Sequence, residues 1–202
     1  RPMLNSLYVS GFAAFVTMAI ALPVVILGVR YTGRLSKLPE HLSYVGFALP
    51  GIAIALALVF FAANFATPVY QTVALLIFAY VVLFLPVAVG AGRASLLQVS
   101  PTIEEAARSL GGRPFQVLTT ITMPIMRPGL LSGIALVFLI AMKELPATLI
   151  LSPIEFTTLA TLVWNATEEA FFARAALPAL LLILISSLPM TVFVLKERRL
   201  EL

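Results

Sequence analysis

Five stretches of the chain stay apolar for more than twenty residues each: Leu7–Val29, Tyr44–Phe65, Val69–Gly90, Gly129–Leu151 and Ala175–Leu195. At about 1.5 Å of rise per helical residue, each is long enough for the roughly 30 Å of a hydrocarbon core. Five membrane-spanning helices are therefore expected. A secretory leader would need a shorter apolar core and a small-residue cleavage site, whereas Leu7–Val29 is long enough to span. Each run has a proline within it or close by, namely Pro23, Pro50, Pro86, Pro146 and Pro189. Buried membrane helices tolerate proline where neighbours satisfy the freed carbonyl, so kinked, mutually packed spans are expected. Gly51, Ala53, Ala55 and Ala57 give the second run small residues for close contact inside a bundle.

Between the third and fourth runs Ser100–Pro124 forms a polar island. It predicts two short helices with a hinge. Thr102 followed by Glu105 has the spacing of a capping box, in which each side chain satisfies a backbone donor of the other. Gly111 and Gly112 suit a left-handed helix end, and Pro114 suits the first turn of the next helix. Pro124 and Pro128 are expected to stop that second helix before the next apolar run.

Composition fixes the class. Hydrophobic residues make up 61% of the 202 positions and charged ones 11%, with a mean hydropathy of +1.07, so too few charges exist to cover a water-facing surface. The chain has no cysteine, which excludes disulfides and thiolate metal sites, and its single histidine, His41, is expected to be a solvated loop residue rather than a ligand. Ser-His-Asp and Cys-His sets are absent, as is a Gly-x-x-x-x-Gly-Lys phosphate loop, so no catalytic residue is expected. The net charge of +4 is spread beside the apolar runs and does not gather into a nucleic-acid patch. It reports orientation instead. Placing the loop with Glu105 in the cytoplasm puts Arg30, Arg34, Lys37, Arg93, Arg108, Arg113, Arg127, Lys196, Arg198 and Arg199 inside, against Arg1 and Arg174 outside.

Two charges sit inside the fourth run, Lys143 and Glu144, with Pro146 close behind. Neighbouring helical residues point about 100° apart, so the pair cannot simply neutralise itself along one helix. A gate or substrate pathway is one reading; charges satisfied by another subunit, or snorkelling outward, is the other. The segment Ser152–Arg174 carries Glu155, Phe156, Trp164, Glu168, Glu169, Phe171 and Phe172, enough for a short helix at the outer surface. Its aromatic residues fit either an interfacial belt or a docking surface.

Glu105-Ala106-Ala107, three residues, Gly111, nine residues and Ile121-x-Met123-Pro124 resemble the EAA loop of the membrane subunits of ATP-binding-cassette importers. Met123 stands where that pattern has Leu, a volume-conserving exchange. The resemblance implies an all-α integral membrane protein, a type I importer permease-like bundle of five spans with a cytoplasmic coupling helix in a loop over 91–128. It implies that Glu104, Glu105, Ala106, Ala107, Arg108 and Gly111 couple the chain to an ATPase, with Glu105 the polar contact, the alanines permitting close approach and Gly111 forming the turn. Without the resemblance, the same island reads as an amphipathic helix lying in the membrane interface. Lys143-Glu144-Leu145-Pro146-Ala147-Thr148 and Thr158-Leu159-Ala160-Thr161 resemble the C-terminal half of ferric-iron permeases, in which two halves are fused. Asn5-Ser6-Leu7 resembles the start of the span that comes after an initial helix, so one helix is expected upstream of Arg1.

The resemblance implies a single permease domain over 1–202 in the bacterial inner membrane, importing iron(III) by alternating access. Lys143, Glu144 and Pro146 would be its pathway or gate. The expected partners are an ATPase dimer, a second permease half, a periplasmic or lipid-anchored binding protein and membrane lipid, with no nucleic acid. ATP and Mg belong to the ATPase, and no cofactor is expected in this chain. Sulfate, molybdate, thiamine, polyamine and phosphonate importers remain alternatives, as do a secondary transporter, a channel subunit or a membrane anchor.

The charge asymmetry predicts the topology directly. Because the chain has no native cysteine, a single cysteine placed at Arg113 should react with a membrane-impermeant maleimide only from the cytoplasmic side, and one at Glu155 only from outside. Labelling of position 113 from outside would refute the orientation.

Overall fold

The computed structural model describes residues 1–31, 33, 38, 39, 42–44, 46 and 49–198, leaving aside the side chains of 190 and 192–198. Arg34, Lys37, His41 and Arg199 lie outside the described residues, as do the side chains of Lys196 and Arg198. The described elements are helical: α1 Pro2–Arg30, α2 Gly51–Phe65, α3 Val73–Leu97, α4 Pro101–Ser109, α5 Pro114–Met142, α6 Pro146–Leu151, α7 Leu159–Glu168 and α8 Phe172–Arg198. A single 3-10 turn, Thr67–Val69, joins α2 to α3.

Four of these helices are long and apolar enough to cross a membrane, α1, α3, α5 and α8, rather than the five expected. The second run is the exception. Its described helix has 15 residues because Pro50 sits at the N-cap in extended backbone, with φ −61° and ψ 140°, and so α2 begins only at Gly51. Of the small residues expected to turn inward on α2, Ala55 is buried while Ala53 and Ala57 are exposed. Alternate residues lie about 200° apart on a helix, so they cannot share one face.

Prolines sort by place. Pro23 and Pro86 lie inside α1 and α3, and Pro178 and Pro189 inside α8, whereas Pro50 and Pro146 mark helix starts. Pro124 and Pro128 do not end a helix as expected; α5 runs through both, from Pro114 to Met142. A wide π turn over Leu118–Thr122 precedes Pro124, with Met123 N–H reaching back to Leu118 O. Hydroxyls along the same stretch bond back to the preceding turn: Thr119 and Thr120 donate to the Phe115 and Gln116 carbonyls, and Ser132 to Pro128 O at 3.1 Å.

The core is the contact of α1, α3 and α5, with α8 on α5 and α7, and α2 on α6 and α3. One face of α1, from Ser6, Val9, Ala13 and Thr17 to Ala21 and Val25, is buried at helical spacing. The opposite faces carry exposed Phe12, Phe15, Leu56, Phe60, Leu180 and Ile183, as a surface in contact with hydrocarbon requires. A feature not singled out in the sequence brings α5 against α3. Gly129 and Gly133, four apart, form a small-residue notch. A Cβ at Gly129 would lie 2.6 Å from Ser95 Cβ, and one at Gly133 would overlap Met18 Cε and lie 2.8 Å from Ala91 Cβ. Ser95 Oγ closes the approach by donating to Met126 O at 2.9 Å.

Gly129→Val should therefore destabilise the detergent-solubilised protein by about 1–3 kcal/mol through overpacking. Ala53→Val, on an exposed stretch of α2, should change its thermal midpoint little. Equal midpoints for the two variants would mean that the notch does not hold α5 against α3.

Candidate functional site: the helix-end junction around the 101–122 segment

After α3 the chain passes through Val99 and enters α4 at Ser100, whose backbone is extended at φ −64° and ψ 129°. Pro101 takes the first helical position, where its fixed φ fits and its missing N–H is not needed. The helix thus starts ahead of Thr102, and the expected Thr102–Glu105 capping box does not form; the Thr102 hydroxyl instead pairs with Ser100 Oγ at 2.7 Å. The far end agrees with expectation. Gly111 has φ +90°. Its N–H reaches Arg108 O at 2.9 Å while Gly112 N–H reaches Ala107 O at 3.0 Å, the paired bonds of a Schellman closure. Pro114 then opens α5.

This geometry separates the predicted coupling residues. Glu105, Ala106 and Arg108 are exposed, Ala107 is half-buried, and Gly111 forms the exposed turn. Glu104, named with Glu105 among the expected coupling residues, is the one buried residue of α4. Its carboxylate faces Arg30, the last residue of α1: Nη2 lies 3.3 Å from Oε1, and Nε lies 3.0 Å from Oε2 but off the hydrogen-bond direction. Thr122, from the π turn of α5, donates to Oε1 at 2.7 Å. Arg30 Nη2 also donates to Val99 O at 2.8 Å and approaches Leu96 O at 3.4 Å, at the end of α3. A cationic group against these last carbonyls complements the helix dipole. The ends of α1 and α3, the first turn of α4 and the π turn of α5 therefore meet at one ion pair. A cleft of about 240 Å³ opens beside it, with Arg108 and Phe115 at its wall.

Two residues at this end of the bundle were not anticipated from the sequence. Leu110 and Phe115 are 90% and 76% exposed, on either side of the glycine turn. A leucine just before the turn glycine and a phenylalanine just after the opening proline, both outside any apolar run, were the available signal.

Lys143 and Glu144 do not lie within a continuous span. The helix ends at Met142, Lys143 forms its C-cap, and a new short helix starts at Pro146. Lys143 is exposed. Glu144 Oε1 accepts from Ala147 N–H at 3.1 Å, capping α6. The Thr148 hydroxyl donates back to Glu144 O and is paired with Tyr80 OH of α3. A Cβ at Gly51 would come 3.2 Å from Glu144 Oε1, so the start of α2 abuts the same carboxylate. At the Asn5 end of the bundle, the segments singled out around Asn5 and Thr158 meet. Asn5 Nδ2 donates to Thr157 O at 2.9 Å, Ser6 Oγ accepts from Leu159 N–H at 2.7 Å, and Thr158 and Thr161 form a capping box that opens α7. Trp164 is partly exposed on α7, and Arg174 stacks 4.7 Å over the Phe171 ring. Among the described residues no cluster of three or more metal-ligating side chains exists.

The chain is similar to known transport proteins in sequence and in fold. The family described as binding-protein-dependent transport system inner membrane component matches residues 19–201. The Fe(3+)-transport system permease protein FbpB 2 of Haemophilus influenzae is 44% identical over 193 residues, covering 96% of this chain and 38% of that protein. The ferric transport system permease protein FbpB of Actinobacillus pleuropneumoniae is 25% identical over 173 residues, covering 86% of this chain and 25% of that one. The chain thus spans well under half the length of these relatives. Among solved structures, an inward-facing conformation of the MetNI methionine ABC transporter superposes with a TM-score of 0.80 at 18% identity, covering 98% of this chain and 94% of that one. That likeness is one of fold.

The Glu144 geometry predicts a split between neighbours. Glu144→Ala leaves the Ala147 N–H unpaired and should cost about 1–3 kcal/mol of stability, while Lys143→Met, at an exposed position, should stay within about 0.5 kcal/mol. Thermal unfolding of the purified protein in detergent would check this, and equal losses in both variants would contradict it.

Proposed function

The chain belongs to the family of binding-protein-dependent transport system inner membrane components, and on that footing we propose that it is a permease half of an ATP-driven importer of iron(III). The observation that carries the proposal is the surface of α4. A short helix, fixed at one end by a buried ion pair and at the other by a glycine turn, presents Glu105, Ala106 and Leu110 outward from the ends of the spans. Such a helix can seat in a groove of a partner and pass on the partner's movement. Iron(III) as substrate is supported by the similarity to the Haemophilus influenzae permease.

In this reading α4 lies on the cytoplasmic side and α7 on the outer side, where a substrate-binding protein docks. ATP and Mg are bound by a pair of ATPase subunits, and a second permease half completes the pathway. Substrate passes by alternating access. The break at Lys143–Leu145 is the gate. Pro146 keeps the helix from continuing, Glu144 stabilises the restart, and the exposed Lys143 supplies charge to the polar route.

Glu105→Ala should reduce ATPase co-purification and iron(III) uptake about tenfold, equivalent to about 1.4 kcal/mol of binding. Gly111→Val should be worse, because a β-branched residue is penalised at the positive φ of +90° found there. Membrane insertion should be unaffected in both. An assembled wild-type transporter with no co-purifying ATPase would overturn the reading, and uptake of another solute in place of iron(III) would overturn only the substrate.

A further inference from the structure

Glu104 is the one buried residue of α4, so its carboxylate is the polar group that this helix sends into the bundle. That carboxylate has two partners from different helices, Arg30 of α1 and Thr122 of α5, and Arg30 in turn holds the carbonyl end of α3. The two charged side chains are 16% and 9% exposed. Pulling such a pair apart leaves a buried charge without its counter-ion, which costs more than breaking any exposed contact. A force on α4 therefore displaces the ends of α1, α3 and α5 with it rather than sliding α4 across them. Arg108, the other charge at this site, is exposed at the wall of the cleft and leaves the Arg30–Glu104 contact undivided.

We propose that Arg30, Glu104 and Thr122 are positioning residues, a latch that carries movement of α4 into the spans, and that Glu104 makes no contact with the ATPase. The proposal rests on the importer reading above. It places adjacent glutamates in different roles: Glu105 faces the partner, and Glu104 ties the partner's landing site to the bundle.

The test uses the whole importer in proteoliposomes, reading iron(III) uptake per ATP hydrolysed together with the amount of ATPase subunit retained. Glu104→Gln should retain the ATPase and lower uptake per ATP about tenfold, since the ion pair is gone. Thr122→Val, which removes a single donor, should lower it about two- to threefold. Glu104→Asp, which keeps the carboxylate, should recover part of the loss. Unchanged uptake per ATP in Glu104→Gln would overturn the latch. So would loss of the ATPase subunit from that variant to the extent seen for Glu105→Ala, because it would make Glu104 a contact. Should Glu104→Gln fail to assemble, Thr122→Val decides alone, and an unchanged ratio there overturns the proposal. Failure of wild-type protein to carry an ATPase at all would instead strike the importer reading.

Discussion

Peptide groups inside hydrocarbon find no water, and an unpartnered N–H or C=O there carries a cost on the order of several kcal/mol. Long helices meet that demand for most of this chain. The informative places are those where a helix loses a donor or stops. Just before Pro124 the backbone widens into a π turn, and threonine hydroxyls add bonds to the carbonyls of the preceding turn. At the break after Met142 a carboxylate from Glu144 supplies the acceptor for Ala147 N–H. At the end of α3 the guanidinium of Arg30 supplies donors for the last carbonyls. Polar side chains are scarce in a sequence that is 61% hydrophobic, and several of those present are spent on helix ends.

Helix ends are consequently where this protein has its chemistry. Loops of a water-soluble protein can place polar groups freely, because solvent completes their bonding. Here the junction of α1, α3, α4 and α5 and the restart at α6 are each held by one buried or half-buried carboxylate, Glu104 and Glu144. Both glutamates sit next to a second charge, Glu105 or Lys143, that is left exposed. Within α4 adjacent positions point about 100° apart, so Glu104 can bond inward while Glu105 faces out; Lys143 and Glu144 are parted instead by the helix break in which they lie.

That same geometry explains what could be read from the sequence. The long apolar runs were legible because bilayer thickness sets a length that soluble helices rarely need, and Gly111 was legible because few residues other than glycine adopt its positive φ. The short α2 was not, since hydropathy weighs Tyr44–Leu49 like the rest and gives Pro50 no power to set the start. Prolines at 124 and 128 read as stops because proline rules come from water, where no packed neighbour compensates. The inward turn of Glu104 was illegible for another reason: its partner Arg30 lies 74 positions away, and no local pattern says which of two glutamates will find it. The glycines at 129 and 133 were in plain view as a spaced pair, but they acquire meaning only against Ser95 and Ala91 of α3.

The notch at Gly133 has two unlike walls. On one side stands Ala91, a methyl group fixed rigidly to the backbone of α3; on the other is the tip of Met18, the end of an unbranched side chain with three rotatable bonds. Against Ala91 any shift of α5 must move a whole helix, while against Met18 it need only turn a thioether. At this level of the bundle the α3 wall is stiff and the α1 wall compliant, so the notch has a grain: a small displacement of α5 is resisted toward α3 and absorbed toward α1.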